Sequence, residues 1–241
     1  MIDIKPLGSS SAGNAYRITD GHTPLLLECG LRFKDLQRRL NYQLSNMAGC
    51  LLTHNHQDHC KSALDMMQSG IDVYASAGTL VAAGLSGHRA IPIQARKQFT
   101  LGTWTVLPFE VEHDVDEPLG FLLANRAGEK LLFATDTYYI RYKFSGLTHL
   151  LIECNYSEGI VERNILETKD ENVRRDLIIR RKRLRRSHFS LENMKDFLRE
   201  SDMSRVEEIW LIHLSDSNSD AELFKREIQA LTGCPVYVAD R

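Results

Sequence analysis

The sequence lacks a long apolar run. Hydrophobic residues make up 43% of the 241 residues, yet no stretch approaches the roughly 18 consecutive apolar residues that a membrane-spanning helix needs. The first residues, Met1–Ile4, do not have the layout of a signal peptide. From these features we expect a soluble, cytoplasmic protein with no membrane partner.

Cysteine is scarce, and neither sign of charge dominates. The five cysteines are an odd number without C-x-x-C spacing, which argues against a disulfide framework and a zinc knuckle. The formal net charge of −2 gives no global signature of binding to nucleic acid or membrane. No Pro/Gly/Ser-rich linker divides the chain, so we expect one domain over residues 1–241.

The sequence does contain a dense group of metal-binding side chains. The segment Thr53–His59 reads THNHQDH and follows an apolar run. His54 and His56 lie two residues apart, so in an extended segment both side chains point the same way and can share one ion. Asp58 and His59 come after a turn, ahead of a helix predicted over residues 60–68. Such a group beside a buried strand is costly without a cation, and the segment therefore predicts a dinuclear metal site.

Further candidate residues follow predicted strands. His113 lies just past the amphipathic strand Thr103–Val111, and Asp136 lies just past the apolar strand Lys130–Phe133. A histidine at a strand end is often solvated and an aspartate there can cap a turn, so the residues alone leave both roles open. The segment Arg180–Arg186 (RRKRLRR) closes a polar, helical region and is either a solvated helix face or a cationic wall that holds a phosphate.

The pattern His-X-His-X-Asp-His at positions 54–59 resembles the signature of the metallo-β-lactamase fold superfamily. The resemblance implies an α/β fold, the four-layer αββα sandwich, which agrees with the predicted succession of strands and helices. It also implies two divalent metal ions, with zinc favoured and manganese as the alternative. The implied ligands are His54, His56 and His113 for one ion, Asp58, His59 and His213 for the other, and Asp136 as a bridge. Asp58 is also an expected catalytic residue.

Three further segments resemble the YycJ-like branch of this superfamily. They are the Ser/Gly-rich opening Ser9–Asn14, the segment Ser187–Asn193 and the segment Ile212–Ser215. Phe189 and Leu191 depart from the Leu and Asn usual in that branch. The expected substrate contacts are Ser10, Asn14, Arg186 and His188. The residues themselves leave the role of the opening segment open between a tight turn and an anion contact. His188 is expected either to contact the phosphate or, as a catalytic residue, to protonate the leaving oxygen.

The resemblance implies a homodimeric phosphodiesterase that acts through a metal-bound hydroxide. The branch is similar both to anti-Pycsar enzymes, which open 3′,5′-cyclic mononucleotides, and to 5′-to-3′ exonucleases. The near-neutral charge and the absence of an inserted second domain favour the cyclic mononucleotide. The basic run favours a DNA or RNA end, because a polyanion needs several phosphate contacts. We therefore expect a cyclic-nucleotide phosphodiesterase, with the exonuclease as the alternative.

Overall fold

The structure, a computed structural model, describes residues 1–240, and within them the chain forms thirteen strands and eight α-helices. The strands are β1 (Asp3–Gly8), β2 (Ala15–Thr19), β3 (Leu25–Leu27), β4 (Cys50–Leu51), β5 (Val73–Ala75), β6 (Ala90–Pro92), β7 (Phe99–Leu101), β8 (Trp104–Glu110), β9 (Leu119–Ala124), β10 (Lys130–Ala134), β11 (His149–Glu153), β12 (Glu208–Ile212) and β13 (Val236–Val238). The helices are α1 (Phe33–Arg39), α2 (Gln57–Cys60), α3 (Ala63–Gln68), α4 (Ala77–Ala82), α5 (Glu158–Glu167), α6 (Glu171–Ser187), α7 (Leu191–Glu200) and α8 (Ala221–Thr232). None of these helices is both long and apolar enough to cross a membrane.

The chain divides into two compact units. Unit 1 comprises Met1–Glu110, Val115–Phe133 and the end of the chain from Ala239, and unit 2 comprises Val111–Asp114 and Ala134–Val238. The single domain expected over residues 1–241 stays a prediction.

Unit 1 contains a six-stranded sheet in the order β1-β2-β3-β4-β5-β6. β1, β2 and β3 pair in antiparallel fashion, whereas β3 to β6 are parallel. The parallel strands are short and apolar, and all three residues of Leu25–Leu27 are fully buried, as in parallel sheets covered on both faces. β4 leads directly into the segment Thr53–His59, so the sheet fixes where that segment starts. Unit 1 also contains the antiparallel ladder of β7, β8 and β9.

Unit 2 is built on the parallel strands β11, β12 and β13. All five residues of β11 are buried, as in a central strand that is covered on both faces. α7 begins as predicted, because the Ser190 side chain accepts a hydrogen bond from the backbone N–H of Asn193 at 3.1 Å. α8 begins with the Asp220 side chain accepting from the N–H of Leu223 at 3.0 Å and ends at Gly233, whose φ is 69°.

Two predicted helical regions differ from the structure. The helix predicted over residues 60–68 begins earlier and is interrupted, as α2 (Gln57–Cys60) and α3 (Ala63–Gln68). Asp58 and His59 therefore lie within a helical turn, in which the Cys60 N–H donates to the carbonyl of His56 at 3.0 Å. The polar region before His188 forms α5 and α6, separated where the Asp170 side chain accepts hydrogen bonds from the backbone N–H groups of Asn172 and Val173.

Gly30 lies against the backbone of the histidine-rich segment and provides a test of its packing. A Cβ on residue 30 would penetrate the Asp58 carbonyl and lie 2.7 Å from the backbone nitrogen of His59. Backbone atoms cannot rotate away as a side chain can, so we expect Gly30→Ala to lower the free energy of unfolding by about 3 kcal/mol. Urea denaturation of the metal-free protein measures this change. Gly159→Ala is the control, since its Cβ would meet only the Ser157 hydroxyl, at 3.6 Å; equal stability of the two variants would contradict the assignment.

Candidate metal centre

The four predicted ligands of unit 1 lie close together just beyond β4. His54 Nε2 is 3.1 Å from His56 Nδ1, and the two rings meet edge to face. The His59 ring centroid is 4.2 Å from that of His54, and its Nε2 is 3.4 Å from a carboxylate oxygen of Asp58. His54 and His59 are buried, whereas His56 and Asp58 are partly exposed. Unit 1 thus brings three imidazoles and one carboxylate together with their polar atoms facing one another; we call this set the histidine cluster.

Polar neighbours fix the orientation of the rings in the histidine cluster. The Thr53 hydroxyl is 2.9 Å from His54 Nδ1, which leaves His54 Nε2 on the side of His56. The Asn14 amide nitrogen is 3.2 Å from His59 Nε2 and donates to the Asp58 carbonyl, also at 3.2 Å. Asn14, predicted as a substrate contact, is fully buried here and positions the cluster; its contact with substrate stays a prediction.

Glu28 is a buried carboxylate that the sequence analysis does not include in the site. One of its oxygens accepts the N–H of Thr53 at 3.2 Å, and the other lies 3.8 Å from His59 Nδ1. Burial raises the pKa of Glu28 above its usual range, and the hydrogen bonds and charge of His59 only partly oppose this rise. A carboxylate behind a ligating histidine orients the ring and increases its basicity.

Unit 2 brings together a second set of potential ligands. One ligand atom from each of four residues lies within 4.8 Å of the others. The residues are Asp136, Glu153, His188 and His213. Glu153 ends β11, His213 follows β12 and His188 follows α6, so the carboxyl ends of two adjacent parallel strands supply half of the set. We call these four residues the carboxylate cluster.

The Glu153 carboxylate is the hub of the carboxylate cluster. Its Oε1 lies 2.7 Å from His188 Nδ1 and 3.0 Å from His213 Nδ1, while Oε2 accepts the backbone N–H groups of Thr137 and Phe189 at 3.2 and 3.0 Å. Complete burial raises the pKa of Glu153, but the charge of His188 and the hydrogen bonds from both histidines outweigh it, and the pKa falls below its usual value. Glu153 is therefore an ionised carboxylate that holds two imidazoles in place.

His188 is tied to both carboxylates of the cluster. Besides its contact with Glu153, its Nδ1 is 3.4 Å from Asp136. Burial lowers the pKa of His188, but the negative charges of Glu153 and Asp136 outweigh this effect and raise the pKa above its ordinary value. His188 is thus more readily protonated than a free imidazole. His188 is predicted from the sequence as a substrate contact outside the metal ligands, whereas this geometry also allows it to ligate.

Two residues of the carboxylate cluster, and Glu28 beside the histidine cluster, adopt left-handed backbone conformations. Glu28, Asp136 and His213 have φ values of 62°, 48° and 53°, which residues other than glycine rarely adopt. Each costs on the order of 1 kcal/mol or more and persists only where the surroundings enforce it. All three come at or just after the end of a strand, so the backbone bend turns the side chain from the strand direction toward its cluster.

Both clusters fit divalent metal ions. Their donors are imidazole nitrogens and carboxylate oxygens, the atoms that bind zinc, manganese and iron in proteins. In each cluster a histidine has one ring nitrogen near a buried carboxylate, Glu28 for His59 and Glu153 for His213, the arrangement that commonly supports ligating histidines. The chain therefore contains a His/Asp set able to bind metal ions. Which metal binds, and how the ligands divide between two ions, stay predictions.

The remaining predicted residues differ in their surroundings. His113 lies in unit 2 with its ring 6.2 Å from that of His188 and its Nδ1 3.3 Å from Asp114. Ser10 accepts the backbone N–H of Ala12 at 3.2 Å and so forms part of a tight turn. Arg186 is exposed in the last turn of α6. The contacts of Ser10 and Arg186 with substrate stay predictions.

Glu28 and Glu153 are not predicted as site residues from the sequence, because each directly follows three apolar residues and lies outside the histidine-rich segments. The signal is nevertheless present, since LLLE ends at Glu28 and LLIE ends at Glu153. An acidic residue at the carboxyl end of an apolar strand lies on the side of the sheet where ligands bind in open α/β folds. Such a residue is seldom buried without a cationic or hydrogen-bonding partner.

Replacing Glu153 with glutamine tests its role as the hub. An amide cannot accept from four donors as a carboxylate does, so His188 and His213 lose a common acceptor. We expect Glu153→Gln to weaken metal binding by about 10- to 100-fold, measured by competition with a chromogenic chelator. Glu162→Gln on α5, at an exposed position, is the matched control. Wild-type metal affinity in Glu153→Gln would contradict the proposed role.

Comparison with known proteins connects this geometry to one family. A family model described as "Beta-lactamase superfamily domain" matches residues 23–214. The exodeoxyribonuclease YycJ of Bacillus anthracis is 30% identical over 158 residues, which cover 61% of this chain and 58% of that protein. The chain thus matches less than two thirds of the length of this curated relative.

Solved structures share the fold across the whole chain. The metallo-β-lactamase fold protein YhfI from Bacillus subtilis aligns with a TM-score of 0.74 at 16% identity, over 100% of this chain and 97% of that one. A diphosphatase of the PhnP family aligns with a TM-score of 0.65 at 14% identity, over 100% and 95% of the two chains. The predicted α/β fold of the metallo-β-lactamase type is thereby confirmed.

Proposed function

Because the chain belongs to the family of β-lactamase superfamily domains, a family of metallo-β-lactamase fold hydrolases, we propose that it is a metal-dependent phosphodiesterase acting on the ends of nucleic acids. The observation that carries this proposal is the position of α6. This arginine-rich helix ends at Ser187, and the next residue is His188 of the carboxylate cluster. The similarity to an exodeoxyribonuclease supports the same substrate class.

The residues of the two clusters have distinct roles in this proposal. The histidine cluster in unit 1, and Asp136, His113 and His213 in unit 2, would hold the divalent ions, which would lower the pKa of water and stabilise negative charge on a phosphate. Glu153 fixes the rings of His188 and His213 through their Nδ1 atoms. His188 Nε2 is then the ring nitrogen left to face substrate, and its raised pKa suits the donation of a proton to the leaving oxygen.

The cationic face of α6 supports a polyanionic substrate. Arg180, Arg183 and Arg186 are exposed and recur every three residues, so they follow one side of the helix. On another side, Arg181 and Arg185 form ion pairs with Glu158 of α5 at 3.3 and 2.6 Å. Those two arginines anchor the helix, whereas the exposed row can contact successive phosphates of a strand.

The opening of 3′,5′-cyclic mononucleotides is a second candidate activity. It uses the same phosphodiester chemistry and needs only one or two phosphate contacts. A cavity of about 410 Å³ between the segment Tyr138–Lys143 and α7 favours it, because a cavity of this size suits the base of a single nucleotide. Three further proposals come from the sequence: zinc is the native metal, the protein is a homodimer, and it is located in the cytoplasm.

A direct comparison of substrates tests the proposed activity. Metal-stripped protein is reloaded with zinc or manganese and incubated with 5′-phosphorylated single-stranded DNA, the corresponding RNA and 3′,5′-cyclic nucleotides. We expect stepwise release of mononucleotides from a nucleic-acid end and no activity without metal. His56→Ala is the control for contaminating nucleases. Rapid opening of cyclic nucleotides with intact DNA and RNA would replace the first candidate by the second.

Salt dependence tests the exposed row on α6. Converting Arg180, Arg183 and Arg186 to glutamine should reduce the slope of log K against log salt concentration for single-stranded DNA by about 2, given about 0.7 per lost phosphate contact. Fluorescence anisotropy measures the binding. A variant with Arg38, Arg96 and Arg126 changed to glutamine loses the same charge in unit 1 and should keep the wild-type slope. Equal slopes for both variants would remove α6 from the strand-binding surface.

A further inference from the structure

We propose that unit 2 contains a nucleobase-binding groove next to the carboxylate cluster, and this inference rests on the proposed phosphodiesterase function. The groove has a volume of about 410 Å³ and lies between the segment Tyr138–Lys143 and α7. Its aromatic lining residues are Tyr138, Tyr139, Tyr142, Phe189 and Phe197. We call it the aromatic groove.

Both walls of the aromatic groove begin next to a backbone N–H group that donates a hydrogen bond to Glu153. Its Oε2 accepts the N–H of Thr137, which precedes Tyr138, and the N–H of Phe189, which follows His188. The carboxylate that orients the cluster histidines therefore also holds the backbone where each groove wall begins. A nucleotide whose phosphate lies at the carboxylate cluster would carry its base toward this groove.

Hydrogen bonds hold the groove segment in a defined position. The Thr137 hydroxyl accepts the N–H of Glu112 at 3.0 Å and donates to the carbonyl of Tyr139 at 2.9 Å. The Asn193 side chain on α7 donates to the Tyr138 carbonyl at 3.0 Å, which links the two walls. Tyr138 and Tyr139 nevertheless remain 36% and 56% exposed. The backbone is thus fixed while the two rings face solvent, the arrangement of a stacking platform.

The charges of the aromatic groove favour a neutral aromatic ligand over a phosphate. Each charged lining residue has an oppositely charged partner: Arg141 with Glu112, Lys143 with Glu200 at 3.6 Å, and Asp196 with Arg199 at 2.8 Å. A phosphate entering here would meet two carboxylates as well as two cations. A nucleobase instead offers a flat face for the tyrosines and polar edges for the amide and carboxylate groups. The groove would therefore recognise a base, and the exposed row on α6 the phosphates, of one nucleic-acid strand.

A pair of chromogenic esters tests for recognition of the base. The p-nitrophenyl esters of thymidine 5′-phosphate and of thymidine 3′-phosphate each carry one base, linked through the 5′ or the 3′ oxygen. Methyl p-nitrophenyl phosphate carries no base. We expect the wild-type protein to show a higher kcat/KM for a thymidine ester, and Tyr139→Ala to reduce this preference by about tenfold, the contribution of one stacked base. Tyr139→Phe should retain the preference, because it keeps the ring.

An exposed tyrosine outside the groove provides the matched control. Tyr42 is 72% exposed in unit 1, and Tyr42→Ala should keep the wild-type preference. A preference unchanged in Tyr139→Ala would overturn the aromatic groove while leaving the phosphodiesterase proposal intact. If the metal-loaded protein hydrolyses no ester, the proposed function fails. The groove is then judged by NMR titration: tighter binding of thymidine 5′-monophosphate than of methyl phosphate in wild type, lost in Tyr139→Ala, would support it, and equal binding would overturn it.

Discussion

The site in unit 2 depends on the hydrogen bonds that the buried carboxylate of Glu153 accepts. An isolated carboxylate is unfavourable in a protein interior, and Glu153 is fully buried. Four donors offset that cost, two from imidazoles and two from the backbone. Because these donors belong to three separate segments of the chain, satisfying one carboxylate positions the loop after Asp136, the turn at His188 and the end of β12 together.

Unit 1 also contains a buried carboxylate behind a histidine, but fewer hydrogen bonds offset its burial. Glu28 is equally buried but accepts one backbone N–H and lies 3.8 Å from His59, so its pKa is raised where that of Glu153 is lowered. In both units the carboxylate ends an apolar strand, and in each unit at least one site residue has a positive φ. Strand ends supply rigidity, and the left-handed bend aims the side chain. The strain is tolerated because buried polar partners hold the bend.

Recognition of a nucleotide would divide between two surfaces of unit 2. The exposed arginines of α6 provide positive charge, which suits the phosphates of a strand. The aromatic groove provides flat rings with paired charges, which suits a base. Both surfaces adjoin His188 in the chain, since α6 ends just before it and Phe189 follows it. In the proposed function, a single turn would thereby connect phosphate binding, proton donation and base stacking.

The sequence by itself determined the fold class and the grouping of the four residues of the histidine cluster. The spacing of His54, His56, Asp58 and His59 is local, and a short segment places such residues together wherever it folds. The apolar strands and several helix caps are local in the same sense, and Ser190 caps α7 as its sequence predicts. Only the tertiary structure decided the rest. Glu153 and His188 are 35 residues apart, and the aromatic groove joins a loop to a helix more than 40 residues further along the chain. Such contacts depend on strand order and on the burial of charge, neither of which a local pattern records.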